Sequence, residues 1–596
     1  MHKWLQSMVL SWFFLATFLL SVNNPGAHFL RRFRGYVWAC ALGLGSAFFS
    51  DPLSAQTAAD AGSLLNQIQR SFPAPKLPEV GPPAALPKVE LLPAKGPALT
   101  VSAFTFTGNL LIPSERLAPV LAGYVGRPLG FDELRNAAAE ISLFYRKEGY
   151  VAAVSVPKQE VKGGVVLLKV AESRFGGVSI DAASDGRIDP ELIRQVILGA
   201  MPPGAPTDMR SLDRGLLLVG DLPGASVTGG LAPGTEEGRS DLVVLSRQTP
   251  VWSVSLSADN AGSRSTGSAR GLATLAFASP WGHGEAISAD LLESEGARYG
   301  RVGFALPLGA GGDRLSFGAS RMDYDLISPE FAAARLNGEA TTLSAEFLRP
   351  LARSRVFNVN FTAGVESKGF LNRTAATRVS DYAVRALSLG YNANLYDGLL
   401  GGGVNAAQLQ WTLGELDLDG SPNQAGVAAT TRAEGRYQKL RASLARTQNL
   451  AEGWVLVTSV SGQLASKNLD SAEKFLAGGV GAVRAYPGNE GSGDAGYLAT
   501  VETRWQVSPR WQLSAFADHA RVRVNADNAI PGAAAPNELA YHGAGLGLSW
   551  IGPAESVWRA TWSRRIGDNP NPKPDGSDQD GTLWLDRFWL SVAFQF

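Results

Sequence analysis

From residue 251 to the last residue the chain alternates. "VWSVSLSADN" puts Trp252, Val254, Leu256 and Ala258 on one side of an extended backbone and Ser253, Ser255, Ser257 and Asp259 on the other. "FWLSVAFQF" ends the chain with Phe588, Leu590, Val592, Phe594 and Phe596 on one face. Successive side chains of a strand point to opposite faces, so a period of two means that one face meets an apolar medium. No stretch of about 20 apolar residues follows the leader, which excludes a membrane helix there. A soluble β-sandwich and a lipid-facing barrel both alternate. About 346 residues at about 10 per strand, with turns and long loops, suit roughly 16 antiparallel strands. A sandwich needs fewer strands and fewer aromatics on one face, so a transmembrane β-barrel over 249–596 is the expected fold. Its outer face meets outer-membrane lipid, and Phe594 and Phe596 are the terminus expected to engage the barrel assembly machinery during biogenesis.

Ahead of residue 249 the texture changes. Residues 101–173 read as a strand at Phe104, Thr105 and Phe106, then a helix with Leu117, Val120, Leu121 and Tyr124 at i, i+3, i+4 and i+7. A second helix, capped by Asp132, has Leu134, Ala138, Ile141 and Tyr145 on one face, and strands follow at 151–156 and 165–170. Residues 174–248 repeat that order. A strand at 177–181 precedes a helix opened by Asp189 and Pro190 and ended by Gly199, and Met209, Leu212, Leu216 and Val219 mark the next helix. Tandem copies of one small α/β unit form a repeat, and such repeats present binding edges.

Upstream, "FPAPKLPEVGPPAALPKVELLPAKGP" places a proline every few residues, so 72–100 reads as an extended, semi-rigid linker. Before it, 56–71 contains a short helix, 58–70, with Leu64, Leu65 and Ile68 on one side. Residues 1–55 read as an export leader: Arg31, Arg32 and Arg34 precede an apolar run over 36–49, and Ser54 and Ala55 offer a small-residue cleavage point. An earlier apolar run, 9–22, makes the leader long, either as an extended signal or as a start placed too early. The single cysteine, Cys40, lies inside it, so no disulfide scaffold or thiol chemistry is expected of the mature chain.

Chemistry is sparse. With 54 basic and 54 acidic residues, no global field draws the chain toward nucleic acid. His283, His519 and His542 read as far apart and without metal-ligand spacing, so no metal is expected. "DGSDQDG", 575–581, lacks the glutamate of a calcium loop and reads as a solvated extracellular loop. "GLLGGGV", 398–404, lacks the lysine of a P-loop and reads as turns. No nucleophile, base and orienting group can be assembled, so neither an enzyme nor a cofactor is expected.

One charge is out of place. Arg484 sits inside the glycine-rich "GAVRAYPGNEGSGDAGYL", 481–498. On an extracellular loop it is worth little; drawn into a narrow lumen it needs a partner, and breaking such a pair costs about 3–5 kcal/mol. Phe516 and Asp518 share one face of a strand, and Leu513, Ala515 and Ala517 share the other. The pattern leaves open which of these faces is inward. A charge on the lipid face near midplane costs roughly 2–4 kcal/mol for a base and less for Asp, which favours the lumen for Asp518.

Taken in order, these strings resemble the outer-membrane transporters of two-partner secretion, the ShlB/FhaC/HecB haemolysin secretion/activation type. The likeness covers almost the whole mature chain. "FTGNLLI", "EGYVAAVSVPKQ" and "GGVVLLKVAE" are similar to the family's first POTRA domain, and "LLLVGDLPGASVTGGLAPG" to its second. "DNAGSRSTG", "SPWGHGE" and "LPLGAGGDRLSFGASRMDY" look like the start of its barrel. "GQLASKNLDSAEKFLAGGVGAVRAYPGNEGSGDAGY" is the most specific string. The resemblance implies that the loop after the eleventh strand, 478–497 here, folds back into the lumen. Its tip, Val-Arg-Gly-Tyr/Phe in the family, corresponds to Val483, Arg484, Ala485 and Tyr486. Its arginine pairs with the aspartate of a Phe-x-Asp-x-Gly wall motif, here Phe516, Ala517, Asp518, His519 and Ala520. Both glycines are alanine in this chain, which bears on the turn and on the wall space. The resemblance also implies that the helix of 56–71, with Leu64, Leu65 and Ile68, plugs the lumen. The POTRA pair then lies in the periplasm and captures an unfolded exoprotein of adhesin or haemolysin type, which leaves through the barrel. The alternative within the superfamily, an assembly factor that inserts other barrels, usually has more POTRA units. A passive solute porin leaves the repeats unexplained.

Overall fold

Alternation over the last 346 or so residues becomes a closed ring of 16 antiparallel strands, from Trp252–Asp259 to Asp586–Gln595. The structure is a computed structural model and describes residues 59–72, 77–82, 99–531 and 533–596. The expected leader with Cys40, and most of the proline-rich linker, lie outside the described residues. The ring closes because the last strand pairs with the first. Phe594 sits opposite Leu256, and Phe596 and Val254 exchange two backbone hydrogen bonds of 2.8 and 3.0 Å. The rings of Phe594 and Phe596 lie nearly parallel, 6.5 Å apart.

The period-two pattern sorts the strands into two environments. Leu291, Val302, Leu343, Leu444, Leu464 and Phe588 point outward and are all more than half exposed. A continuous apolar surface of this kind is a liability in water and the requirement in lipid. At the end of the barrel with short turns, Trp454 stacks on Trp505 at 5.2 Å and Trp511 on Trp550 at 5.5 Å, the amphipathic girdle of a membrane interface. No helix among the described residues is long and apolar enough to cross a membrane.

Each α/β unit ahead of the barrel has a three-stranded sheet and its own core. In the first, Ala103–Thr107 pairs in parallel with Val165–Glu172, which pairs antiparallel with Ala152–Ser155. Helix Phe131–Glu148 buries Leu134, Ala138, Ile141 and Tyr145 against Val166 and Leu168. Asp132 is not its cap. Gly130 is, and Glu133 reaches back to accept from the Gly130 amide at 2.9 Å, leaving Asp132 in the first turn. The preceding helix is also less regular than its spacing suggests: one α-turn, Ser114–Leu117, passes into a 3-10 stretch, Ala118–Tyr124. Pro119 has no amide hydrogen with which to continue the α-pattern.

The second unit repeats the topology, with Arg174–Ile180 parallel to Arg239–Ser246 and the latter antiparallel to Val227–Pro233. Asp189 caps Pro190–Ala200, which runs one residue past Gly199. This unit is clamped to the barrel turns. Arg353 donates to both oxygens of Asp221 at 2.7 and 2.8 Å, Arg355 pairs with Asp213 at 2.7 Å, and the Asp189 amide donates to the Gly282 carbonyl at 2.8 Å. The barrel end with the short turns is therefore the POTRA end, and the other rim is extracellular.

Inside the barrel lies helix Ala61–Gln69, shorter at its start than the expected 58–70; Ala58 is outside the described residues. Asp60 begins it, accepting from the Ser63 amide while the Ser63 hydroxyl accepts from the Asp60 amide. Leu64, Leu65 and Ile68 are 2%, 1% and 6% exposed, and they pack on Tyr299, Met322, Tyr324, Phe370 and Tyr382 of the wall. Farther along the chain, the Pro78 carbonyl accepts from Asn394 and the Gly81 amide donates to the Arg355 carbonyl, at the POTRA rim. The segment thus leads from the extracellular half of the lumen to the periplasmic side.

Candidate functional site: the inward loop and its wall

Beyond the eleventh strand, Trp454–Ala465, the chain turns into the lumen and returns to the barrel wall only at Ala495–Ser508. The last three residues of the expected 478–497 loop therefore belong to the wall. The loop is compact because it bonds to itself. The Val483 amide donates to the Ala477 carbonyl at 2.8 Å and the Gly479 amide to the Tyr486 carbonyl at 3.0 Å. Val483, Ala485 and Tyr486 have no exposed surface and share a cluster with Ala520, Val522, Leu539 and Tyr541 of the wall. Tyr486 meets Tyr541 edge to face at 5.0 Å.

The face left open by the sequence is now assigned. Phe516 and Asp518 point inward, at 6% and 3% exposed, and Leu513 points out. Arg484 grips Asp518 with both ends of its fork, Nε to Oδ2 at 2.9 Å and Nη2 to Oδ1 at 2.8 Å, and its backbone amide adds a third bond at 3.1 Å. Its remaining nitrogen, Nη1, donates to Glu502 at 2.6 Å. The guanidinium carbon lies 3.3 Å from the centroid of the Phe516 ring, a stacked cation. Burial works against the charge on Arg484, but Asp518 and Glu502 more than offset it and hold its pKa above the ordinary value. Ser563 and the Trp589 indole both donate to the Arg484 carbonyl, at 2.6 and 2.7 Å. The tip is thus held from four strands.

The two alanines fit. Ala485 has no positive φ, so the tip does not need glycine there. Space for it comes from Gly543 opposite, where a Cβ would stand 2.7 Å from that of Ala485.

Sequence reasoning missed a second clasp. The 566–585 loop, with "DGSDQDG" read as solvated, instead folds inward: Ser577 and Asp578 are each 1% exposed. Asp578 accepts from Arg565 and from Arg587, Arg587 also donates to Asp580 at 3.2 Å, and Arg565 lies 4.6 Å over the Tyr486 ring. Glu490 of the inward loop accepts from the Gln579 amide at 2.8 Å and from Asn569 at 3.2 Å. Two inward-facing arginines cannot be left uncompensated, so they pull the aspartates in. Burial raises the Glu490 carboxyl to about 7. A third knot sits beneath the lumen helix, where Lys368 and Lys439 both pair with Glu473. That same turn receives the helix: Ser471 donates to Asp60 at 2.9 Å and Asn66 to the Lys474 carbonyl at 3.0 Å. The signal for these residues was parity, since Glu502, Arg565, Arg587, Lys368 and Lys439 all occupy inward positions of their strands.

The histidines also need correction. His519 and His542 are not far apart: strand pairing sets them opposite each other, rings stacked at 4.6 Å, with Tyr497 bonded to His519 at 3.0 Å. Among the described residues no group of His, Cys, Asp or Glu is placed to hold a metal ion.

Known proteins share this architecture. The profile described as "Haemolysin secretion/activation protein ShlB/FhaC/HecB" matches residues 238–549, and "POTRA domain, ShlB-type" matches 99–173. The heme/hemopexin transporter protein HuxB of Haemophilus influenzae is 22% identical over 496 residues, covering 82% of this chain and 85% of its own. The outer membrane transporter CdiB of Dickeya dadantii is 24% identical over 435 residues, covering 70% and 74%. The solved structure of CdiB from Escherichia coli superposes with a TM-score of 0.64 at 20% identity, covering 86% of this chain and 93% of that one. With more than half of its length matched, the chain belongs to the ShlB/FhaC/HecB family of haemolysin secretion/activation proteins, outer-membrane β-barrel transporters with POTRA domains in the periplasm.

Proposed function

We propose that the barrel passes an unfolded exoprotein from periplasm to surface, and that the lumen helix and the inward loop keep the channel closed at rest. One observation carries this reading. Two separate segments occupy the lumen, a helix whose chain enters at the POTRA rim and a loop that enters from the extracellular rim. A barrel of 16 strands is wide enough to leave an aqueous channel, so both fillers must move for a chain to pass. The Arg484–Asp518 pair, with Val483, Tyr486 and Phe516 packed around it, anchors the loop. Leu64, Leu65 and Ile68 seat the plug.

Capture of the exoprotein falls to the first POTRA domain. Between helix Phe131–Glu148 and strand Ala152–Ser155 runs a groove of about 700 Å³ lined by Phe131, Arg135, Arg146 and Tyr150. That strand pairs on one side only, with Val165–Glu172, so an extended segment can add to its free edge. The sequence has no nucleotide-binding motif, and folding of the exported chain outside supplies the directional free energy. Phe594 and Phe596, at the closing seam, serve the barrel assembly machinery during biogenesis.

The test is a deletion strain carrying a co-expressed exoprotein. Loss of the exoprotein from the surface, with other outer-membrane proteins at normal levels, is the expected result. Normal exoprotein display with a general fall in outer-membrane proteins would favour the barrel-inserting alternative and overturn this reading.

A further inference from the structure

The outer wall carries a hollow that neither closure nor capture uses. It measures about 880 Å³ and spans five neighbouring strands, from Asn337–Arg353 to Gly435–Ala451. Cross-strand register sorts its outward-facing side chains by height. One row runs Leu343, Ser367, Arg385, Glu415, Arg436, each directly opposite the next. The row below, toward the periplasm, runs Ala345, Val365, Leu387, Leu413, Gln438. Polarity therefore changes from charged to mainly apolar within two residues, about 7 Å along a strand.

That change falls at a definite depth. Ser367 is ten residues up its strand from Phe357 at the POTRA end. At about 3.3 Å per residue and a tilt of about 40°, this is about 25 Å, the height of the apolar band of such a barrel. The upper row is at headgroup level of the outer leaflet, and the lower row is in hydrocarbon. Ser367 and Ala345 are small, which sinks the floor between the leucine and valine side chains.

The two arginines are unusual for this rim. Arg298, Arg321 and Arg564, also outward-facing, have carboxylates at 3.1, 2.8 and 3.0 Å. The nearest acids to Arg385 and Arg436 are Asp417 and Glu415, both at 3.8 Å, beyond hydrogen-bonding range. Their side chains are 66% and 89% exposed. Two guanidinium forks with free donors, above an apolar hollow at the interface, match a phosphate attached to acyl chains.

We propose that this hollow seats a phosphorylated lipid of the outer leaflet. Its phosphate is held by Arg385 and Arg436, and one of its acyl chains lies over Val365, Leu387 and Leu413. The test uses the full chain, reconstituted with a phosphorylated outer-leaflet glycolipid and examined by native mass spectrometry in mild detergent. One retained glycolipid per barrel is expected, with retention falling about tenfold in R385A/R436A. A control lacking the paired arginines, R298A/R564A, retains it. Ser367→Trp, which fills the floor and keeps both arginines, also sheds it. Heat-modifiable migration verifies that each variant is a folded barrel, and Arg436→Gln alone serves if the double variant does not fold. Unchanged retention in R385A/R436A overturns the proposal. So does retention that inorganic phosphate displaces while Ser367→Trp has no effect, which would mean a headgroup site without a chain. A dimer of this protein that disappears in R385A/R436A would assign the hollow to a second copy and overturn it as well.

Discussion

The two fillers of the lumen are held by different physics. The loop tip is fixed by charge: one guanidinium shared between two carboxylates and an aromatic face, with a second arginine pair clasping the 566–585 loop behind it. The helix is fixed mostly by shape, through three apolar side chains on a wall of aromatic rings and a few hydrogen bonds. Buried charge networks cost heavily when one member is missing and are specific about geometry. Apolar contacts of a single turn or two are non-directional and can be traded for contacts with another apolar segment. The loop is thus built to return to one place, and the helix is built to be displaced by a passing chain.

The contrast is most exposed at the loop. Asp518→Ala leaves Arg484 with Glu502 alone, and Arg484→Ala leaves two buried carboxylates, a loss of about 3–5 kcal/mol at the tip in either case. Both variants are expected to abolish exoprotein display while keeping a heat-modifiable barrel in the membrane. Display at the normal level in both would end the idea that charge fixes the loop. Next in size is the helix. Leu64→Ala removes about 2–5 kcal/mol from its seat. Resting conductance in planar bilayers should rise toward that of a chain lacking 59–70, with display retained; a conductance like that of the parent would mean the helix is not held by shape. Smaller still is Asp60→Ala, which removes the helix cap and the bond from Ser471, about 1 kcal/mol. Brief openings should become more frequent without a change in their size.

The smallest effect is a pH dependence of the second clasp. Burial keeps the proton on Glu490 up to about 7, above its value in an unfolded chain. Stability from that neutral group is complete in acid and is lost as pH rises through about 7. Raising pH from about 5 to about 8 should therefore increase flicker of the inward loop, and Glu490→Gln should flatten the response. Equal flicker at both ends in the parent chain would remove Glu490 from the account.

Much of this was legible because alternation is a local signal. Strands, the barrel and both α/β units follow from spacing that a reader can count along the chain, whereas the POTRA identity and the Arg484–Asp518 pair came from the family resemblance. What escaped was non-local. Glu502 and Ser563 meet Arg484 only because strand register and barrel closure bring four strands to one tip. The 566–585 loop looked solvated since its acids are dense and polar, and nothing within it reports that Arg565 and Arg587 flank it on the inner wall. His519 and His542 lie 23 residues apart in the chain, yet a hairpin pairs them directly. Asp132 was read as a cap because its type fits, when Gly130 and Glu133 already satisfied the helix start.

The seam between Phe596 and Val254 places a demand on synthesis itself. The first wall strand has no second neighbour until Asp586–Gln595 has been made, and in hydrocarbon each unmatched backbone group costs several kcal/mol. A product cut short by even one hairpin arm would reach the outer membrane as an open sheet with two raw edges, which lipid rejects. The wall is in this way proofread by geometry: only a polypeptide that carries the strand Asp586–Gln595 can seal it.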